Sequence, residues 1–80
     1  MPNIIYTKKA MKNIKSLDVR AKDRVRAGIE RIPFGDIKKL QGYLNLYRLR
    51  IGDYRVIYQM ENDTIIIDAV LPRGEAYKGL

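Results

Sequence analysis

Residues 44–58 read LNLYRLRIGDYRVIY, and their alternation decides the fold. Leu44, Leu46, Arg48 and Arg50 share one parity, and Tyr47, Leu49 and Ile51 share the other. A period of two over this length predicts a strand. Gly52-Asp53 follows, then a second β-prone run, Tyr54-Arg55-Val56-Ile57-Tyr58. Two such runs separated by Gly-X predict a hairpin in which the glycine supplies the positive φ of a type II′ turn. With Gly52 and Asp53 at the centre, Ile51 pairs with Tyr54, Arg50 with Arg55, Leu49 with Val56, Arg48 with Ile57 and Tyr47 with Tyr58. One face then carries Tyr47, Leu49, Ile51, Tyr54, Val56 and Tyr58, a core. The other carries Arg48, Arg50 and Arg55. Like charges opposite one another across a hairpin are destabilising, so three guanidiniums on one sheet face call for an anionic partner.

The rest of the composition is consistent with that demand. Eighty residues make one domain, spanning 1–80, whose core is marginal unless tightly packed. A hydrophobic content of 46% with 31% charged residues is globular. Without cysteine or histidine there are no disulfides, no thiolate or imidazole chemistry and no zinc site of the usual kinds. The chain opens on Met-Pro-Asn-Ile-Ile-Tyr and then lysines, without the pattern of a signal peptide, and no apolar run reaches membrane-spanning length. A cytoplasmic protein with no membrane partner is expected. The net charge of +7 points to phosphate backbones or acidic protein. Solubility alone would not require arginines at strand positions.

Outward from the hairpin, Asn3 to Tyr6 form a short β-prone segment. Thr7 can N-cap a helix through about Lys15, with Ala10, Met11 and Ile14 on one side. Ser16 or Asp18 can cap a second helix, whose apolar positions Ala21, Val25, Gly28/Ile29 and Ile32 form one stripe up to the break at Pro33. The basic residues of these helices, such as Lys12 and Arg24, are mostly a solvated face. Residues 33–43 are a connector anchored by Phe34, Ile37 and Leu40. A third strand of the hairpin sheet runs from Thr64 to Leu71 after a turn at Asn62-Asp63, with Tyr58 beside Ile67, Ile57 beside Asp68 and Val56 beside Ala69. That register puts Asp68 on the arginine face, one strand from Arg48, in a charge-compensating role. The whole is an α+β domain, β-α-α-β-β-β, with two N-terminal helices on one face of a four-stranded, mainly antiparallel sheet whose other face is concave and open.

The order of elements, the block LYRLRIGDYRVIY and the ending VLPRGEAYK resemble the RelE/ParE superfamily of toxins from bacterial type II toxin–antitoxin modules, over essentially the whole chain. The resemblance implies an mRNA interferase of the RelE kind. It enters the ribosomal A site, against rRNA, and cuts mRNA by attack of a ribose 2′-OH on the adjacent phosphate, without metal or cofactor. Arg55 matches the family arginine that contacts the scissile phosphate. Arg48 and Arg50 stand where the best-known members have lysines. Arg73 matches the C-terminal arginine that protonates or stabilises the leaving oxygen. Tyr77 matches the tyrosine that stacks on the nucleotide, its alternative role being a hydrophobic anchor for the chain end. Lys78 adds to the RNA-binding charge. An arginine with a pKa above about 12 is a poor general base, so Arg48 and Arg50 cannot inherit a lysine's proton-accepting role. Glu75 is the nearest carboxylate to the C-terminal pair, and the proton acceptor stays unassigned.

The same resemblance implies a cognate antitoxin, wrapping a segment across the sheet and basic face, and contact with operator DNA only through the antitoxin complex. Two other readings stay open: a ParE-like toxin that inhibits DNA gyrase without cutting nucleic acid, and a non-catalytic half of a repressor complex. Fold cannot decide between the nuclease and the gyrase inhibitor. The arginines of the open face, with Arg73 and Tyr77, favour the nuclease.

Overall fold

The computed structural model describes residues 3–72. In chain order these form β1 (Asn3–Tyr6), α1 (Lys8–Lys15), α2 (Val19–Glu30), β2 (Asp36–Lys39), β3 (Leu46–Ile51), β4 (Tyr54–Glu61) and β5 (Thr64–Pro72). The strands make one five-stranded sheet in the order β1-β5-β4-β3-β2, with β1 parallel to β5 and the other pairs antiparallel. The α+β class and the placement of the two helices are as expected, but the connector contains a strand, so the sheet has five strands and not four. Strand β2 escapes the sequence reading because it is only four residues long and Ile37 is its one apolar position.

Local chemistry sets the helix starts. The Thr7 side chain accepts from the Ala10 N–H at 3.1 Å, and the Asp18 carboxylate accepts from the Ala21 N–H at 2.8 Å. Each satisfies a donor that the first turn leaves unpaired. The second helix stops at Glu30, ahead of Pro33. Its stripe buries Val25 and Ile29 completely against the sheet. Gly28 lets α2 cross β3 closely, because a Cβ there would run into the Ile51 side chain, which would have to shift.

The hairpin register is the expected one at all five pairs, from Ile51 with Tyr54 to Tyr47 with Tyr58. Gly52 has φ +56°, and Asp53 is not among the residues of positive φ, which is the type II′ pattern. The inward face carries the core: Leu49, Val56 and Tyr58 are buried with Ala10, Val25, Ile29, Ile65, Ile67 and Val70. Tyr47 and Tyr54 pack against it, and the Tyr47 and Tyr58 rings stack with centroids 5.4 Å apart.

The β4–β5 register departs from the expected one. Tyr58 does pair with Ile67, but Ile57 pairs with Ala69 and Val56 with Val70. Asp68 is therefore the extra residue of a β-bulge. The bulge shifts the parity of β5, so that Ile65, Ile67 and Val70 face the helices while Ala69 faces the other way with Ile57. Helix α1 supports this irregular edge where β1 has ended. The Thr7 hydroxyl donates to the Asp68 carbonyl at 3.0 Å, and the Asn13 side-chain oxygen accepts from the Val70 N–H at 3.0 Å. Backbone groups without a strand partner are thus paired.

Candidate functional site

The sheet face turned away from the helices is built by alternation. On β3 it takes Leu46, Arg48 and Arg50; on β4 it takes Arg55, Ile57 and Gln59, opposite Arg50, Arg48 and Leu46 in turn. Strand β2 adds Lys38 opposite Arg48 and Asp36 opposite Arg50. Four cationic side chains, Lys38, Arg48, Arg50 and Arg55, therefore rise from adjacent positions on three neighbouring strands. The expected convergence of Arg48, Arg50 and Arg55 is present. Lys38 joins them from the strand that the sequence pattern conceals.

This face is not an empty concavity. Ile57 and Ala69 are buried on it, packed with Leu40, Leu46 and Leu71. The arginines thus border an apolar strip, which lowers the local dielectric and strengthens their interaction with any anion that docks there. Arg50 is exposed, whereas Arg48 and Arg55 are partly buried. The Arg48 Nε and one terminal nitrogen of Arg55 are buried without a hydrogen-bond partner among the described residues. A buried donor left unpaired costs about 1–3 kcal/mol, more for a charged group.

Charge compensation also differs from the expected pattern. Arg48 meets Asp36, with its terminal nitrogen 3.6 Å from the carboxylate, and not Asp68. The bulge carries Asp68 to Gln59, whose Nε2 donates to it at 2.7 Å. Asp36 was missed because its strand was missed; the signal available was its shared parity with Lys38 across Ile37. Arg73, Glu75, Tyr77 and Lys78 lie outside the described residues. Among the described residues no helix is long and apolar enough to cross a membrane.

Comparison with known proteins agrees with this geometry. Residues 4–77 match the family described as the ParE toxin of the type II toxin–antitoxin system parDE. Toxin RelE3 of Methanocaldococcus jannaschii is 33% identical, over 92% of this chain and 93% of its own. The chain superposes on the RelB–RelE antitoxin–toxin complex from Methanococcus jannaschii with a TM-score of 0.78 at 32% identity, covering 92% of this chain and 95% of that one. It superposes on the archaeal RelE–RelB complex from Pyrococcus horikoshii with a TM-score of 0.75 at 34% identity, covering 94% and 98%. The isolated E. coli RelE toxin has the same fold, with a TM-score of 0.79 at 15% identity over 98% of this chain and 90% of its own. A five-stranded sheet with two helices on one face and arginines on the other, matched over nearly its whole length, makes this chain a member of the RelE/ParE superfamily of type II toxins.

Proposed function

We propose that the chain is the toxin of a type II toxin–antitoxin module and acts as a ribosome-dependent mRNA endoribonuclease in the cytoplasm. The observation that carries this reading is the convergence of Lys38, Arg48, Arg50 and Arg55 from three neighbouring strands onto the sheet face away from the helices. In the reaction, the 2′-OH attacks the adjacent phosphorus and loses its proton as the P–O2′ bond forms. The P–O5′ bond then breaks and O5′ gains a proton, leaving a cyclic phosphate and a 5′-OH end. Charge builds up on the non-bridging oxygens as the phosphorus becomes pentacoordinate. Arg55 and Arg48 are assigned to meet that charge with forked, always-charged donors. Arg50 and Lys38 neutralise the flanking phosphates and hold the strand in register. Arg73 is assigned to the leaving oxygen, and Tyr77 with Lys78 to the nucleotide.

The cognate partner is an antitoxin, as in the RelB–RelE complexes that this chain resembles. Its contact with the arginine face removes the anion site. Operator DNA is reached through that complex. Inducible expression tests the target: new 5′-OH ends within translated frames support cleavage on the ribosome. Growth arrest with a DNA-damage response and no new ends would move the assignment to the gyrase-inhibiting ParE branch.

A further inference from the structure

The proton that leaves the ribose 2′-OH during cleavage needs an acceptor. Arginine and lysine side chains hold their own protons at neutral pH, so the cations of the open face cannot take it. We propose that the carboxylate of Asp36 is the general base, an assignment that rests on the nuclease reading and adds a catalytic residue to it.

Strand pairing puts Asp36 in the cluster. It lies opposite Arg50, which lies opposite Arg55, so one row across β2, β3 and β4 reads Asp36–Arg50–Arg55. Arg48 belongs to the next row, yet one of its terminal nitrogens comes to 3.6 Å from the Asp36 Oδ1. The two side chains differ in access: Asp36 is 59% exposed and Arg48 12%. The carboxylate stands at the rim of the cluster, while the guanidinium lies deeper.

Distance then decides whether a base at that place is useful. A general base comes within about 3 Å of the hydroxyl oxygen, which itself attacks from about 3–3.5 Å off the phosphorus. The base therefore stands within about 6 Å of the phosphorus. A guanidinium nitrogen holds a phosphate oxygen at about 2.8 Å. A phosphate on Arg48 and a carboxylate 3.6 Å from the same guanidinium nitrogen are apart by a distance of this order. Asp68 has no such tie. Its carboxylate accepts from Gln59 and makes no ion pair among the described residues.

In the proposed step, the O2′ proton passes to the Asp36 carboxylate as the P–O2′ bond forms, leaving a neutral acid. The P–O5′ bond breaks, O5′ takes a proton from its own donor, and Asp36 gives its proton to water before the next turnover. A carboxylate among Lys38, Arg48, Arg50 and Arg55 also has a plainer use, which is to offset their repulsion. The two uses predict opposite results. If Asp36 only offset charge, Asp36→Asn would hold RNA more tightly and cleave it no more slowly. With Asp36 as the base, the same variant binds at least as tightly but breaks the bond about 100-fold more slowly, the low end of the range for general-base catalysis.

The test is single-turnover cleavage by the full chain on programmed ribosomes, at saturating toxin, between about pH 6 and pH 8.5. Carboxylates are ionised across this window, so the parent rate is expected to be level. The Asp36→Asn rate is expected to rise about tenfold per pH unit, because hydroxide must then remove the proton. Formate added to Asp36→Ala is expected to restore part of the rate in proportion to its concentration, and Asp36→Glu to fall between parent and Asp36→Asn. Thermal unfolding and ribosome binding check that the variants are folded. A merely structural role would change neither the slope nor the response to formate. Asp36→Asn cleaving at the parent rate would overturn the assignment and leave the nuclease. So would a slowed variant with a level profile and no formate rescue, or a parent rate that itself rises tenfold per unit. A parent chain that binds ribosomes without cutting mRNA would instead remove the nuclease reading, and the assignment with it.

Discussion

Arg55 faces Arg50 directly across the hairpin, an arrangement that costs stability in the free protein and is useful only with an anion between or above the two. Arg55→Ala is expected to lower mRNA cleavage by about 100-fold to 1000-fold, as loss of one charge-stabilising donor does elsewhere. The fold should survive, and thermal unfolding should show no loss of stability. Arg55→Lys keeps the charge but not the fork, so an intermediate rate is expected. On the opposite face, burial pushes the Tyr58 hydroxyl up to about 12 from an ordinary 10.0, and neighbouring Tyr47 adds to the effect. The folded chain therefore holds this proton more tightly than the unfolded chain does. The resulting stability is fully present below about pH 10 and is lost as the pH rises toward about 12. Comparing denaturant unfolding of Tyr58→Phe with the parent chain across that window isolates the contribution: the variant should show the smaller alkaline loss.

At the level of elements, α2 meets β3 closely at Gly28. Gly28→Ala should improve helix propensity by about 1 kcal/mol but drive a methyl into Ile51, and overpacking of this kind costs about 1–3 kcal/mol. A net loss of stability is expected, and Ile51→Ala, which removes both Cδ1 and the Cγ1 that would lie 2.9 Å from the new methyl, should cost less in the Gly28→Ala background than in the parent; additive losses would contradict this. The hairpin was legible because its two faces differ so sharply, with arginines on one parity and tyrosine, leucine and valine on the other. A slip of one residue would bury the guanidiniums. Strand β5 was not legible to the same degree. Ile65-Ile66-Ile67 is apolar on both parities, so the pattern could not fix its register, and a one-residue bulge leaves no mark in composition. The cost was Asp68, expected beside Arg48 and found beside Gln59. Strand β2 was missed for another reason: Asp36, Lys38 and Lys39 read as a polar linker until Leu49 gives Ile37 a partner.

For the whole molecule, the sheet separates two tasks. One face packs helices into a core that holds the strands rigid; the other presents cations along an apolar strip, on a chain of net charge +7. Association with ribosomes is expected to weaken steeply between low and physiological salt, as phosphate-directed binding does, and sedimentation of the toxin with ribosomes at increasing salt measures this. The central claim is that the arginine face promotes attack by the ribose 2′-OH. The most direct measurement places the purified toxin on translating ribosomes carrying an mRNA with one 2′-O-methyl nucleotide at a mapped cleavage position, and reads the fragment ends. Cleavage leaving a cyclic phosphate, abolished at the methylated position and lost everywhere with Arg55→Ala, is the predicted result. Cleavage that persists at the methylated position, or that Arg55→Ala leaves intact, would contradict it.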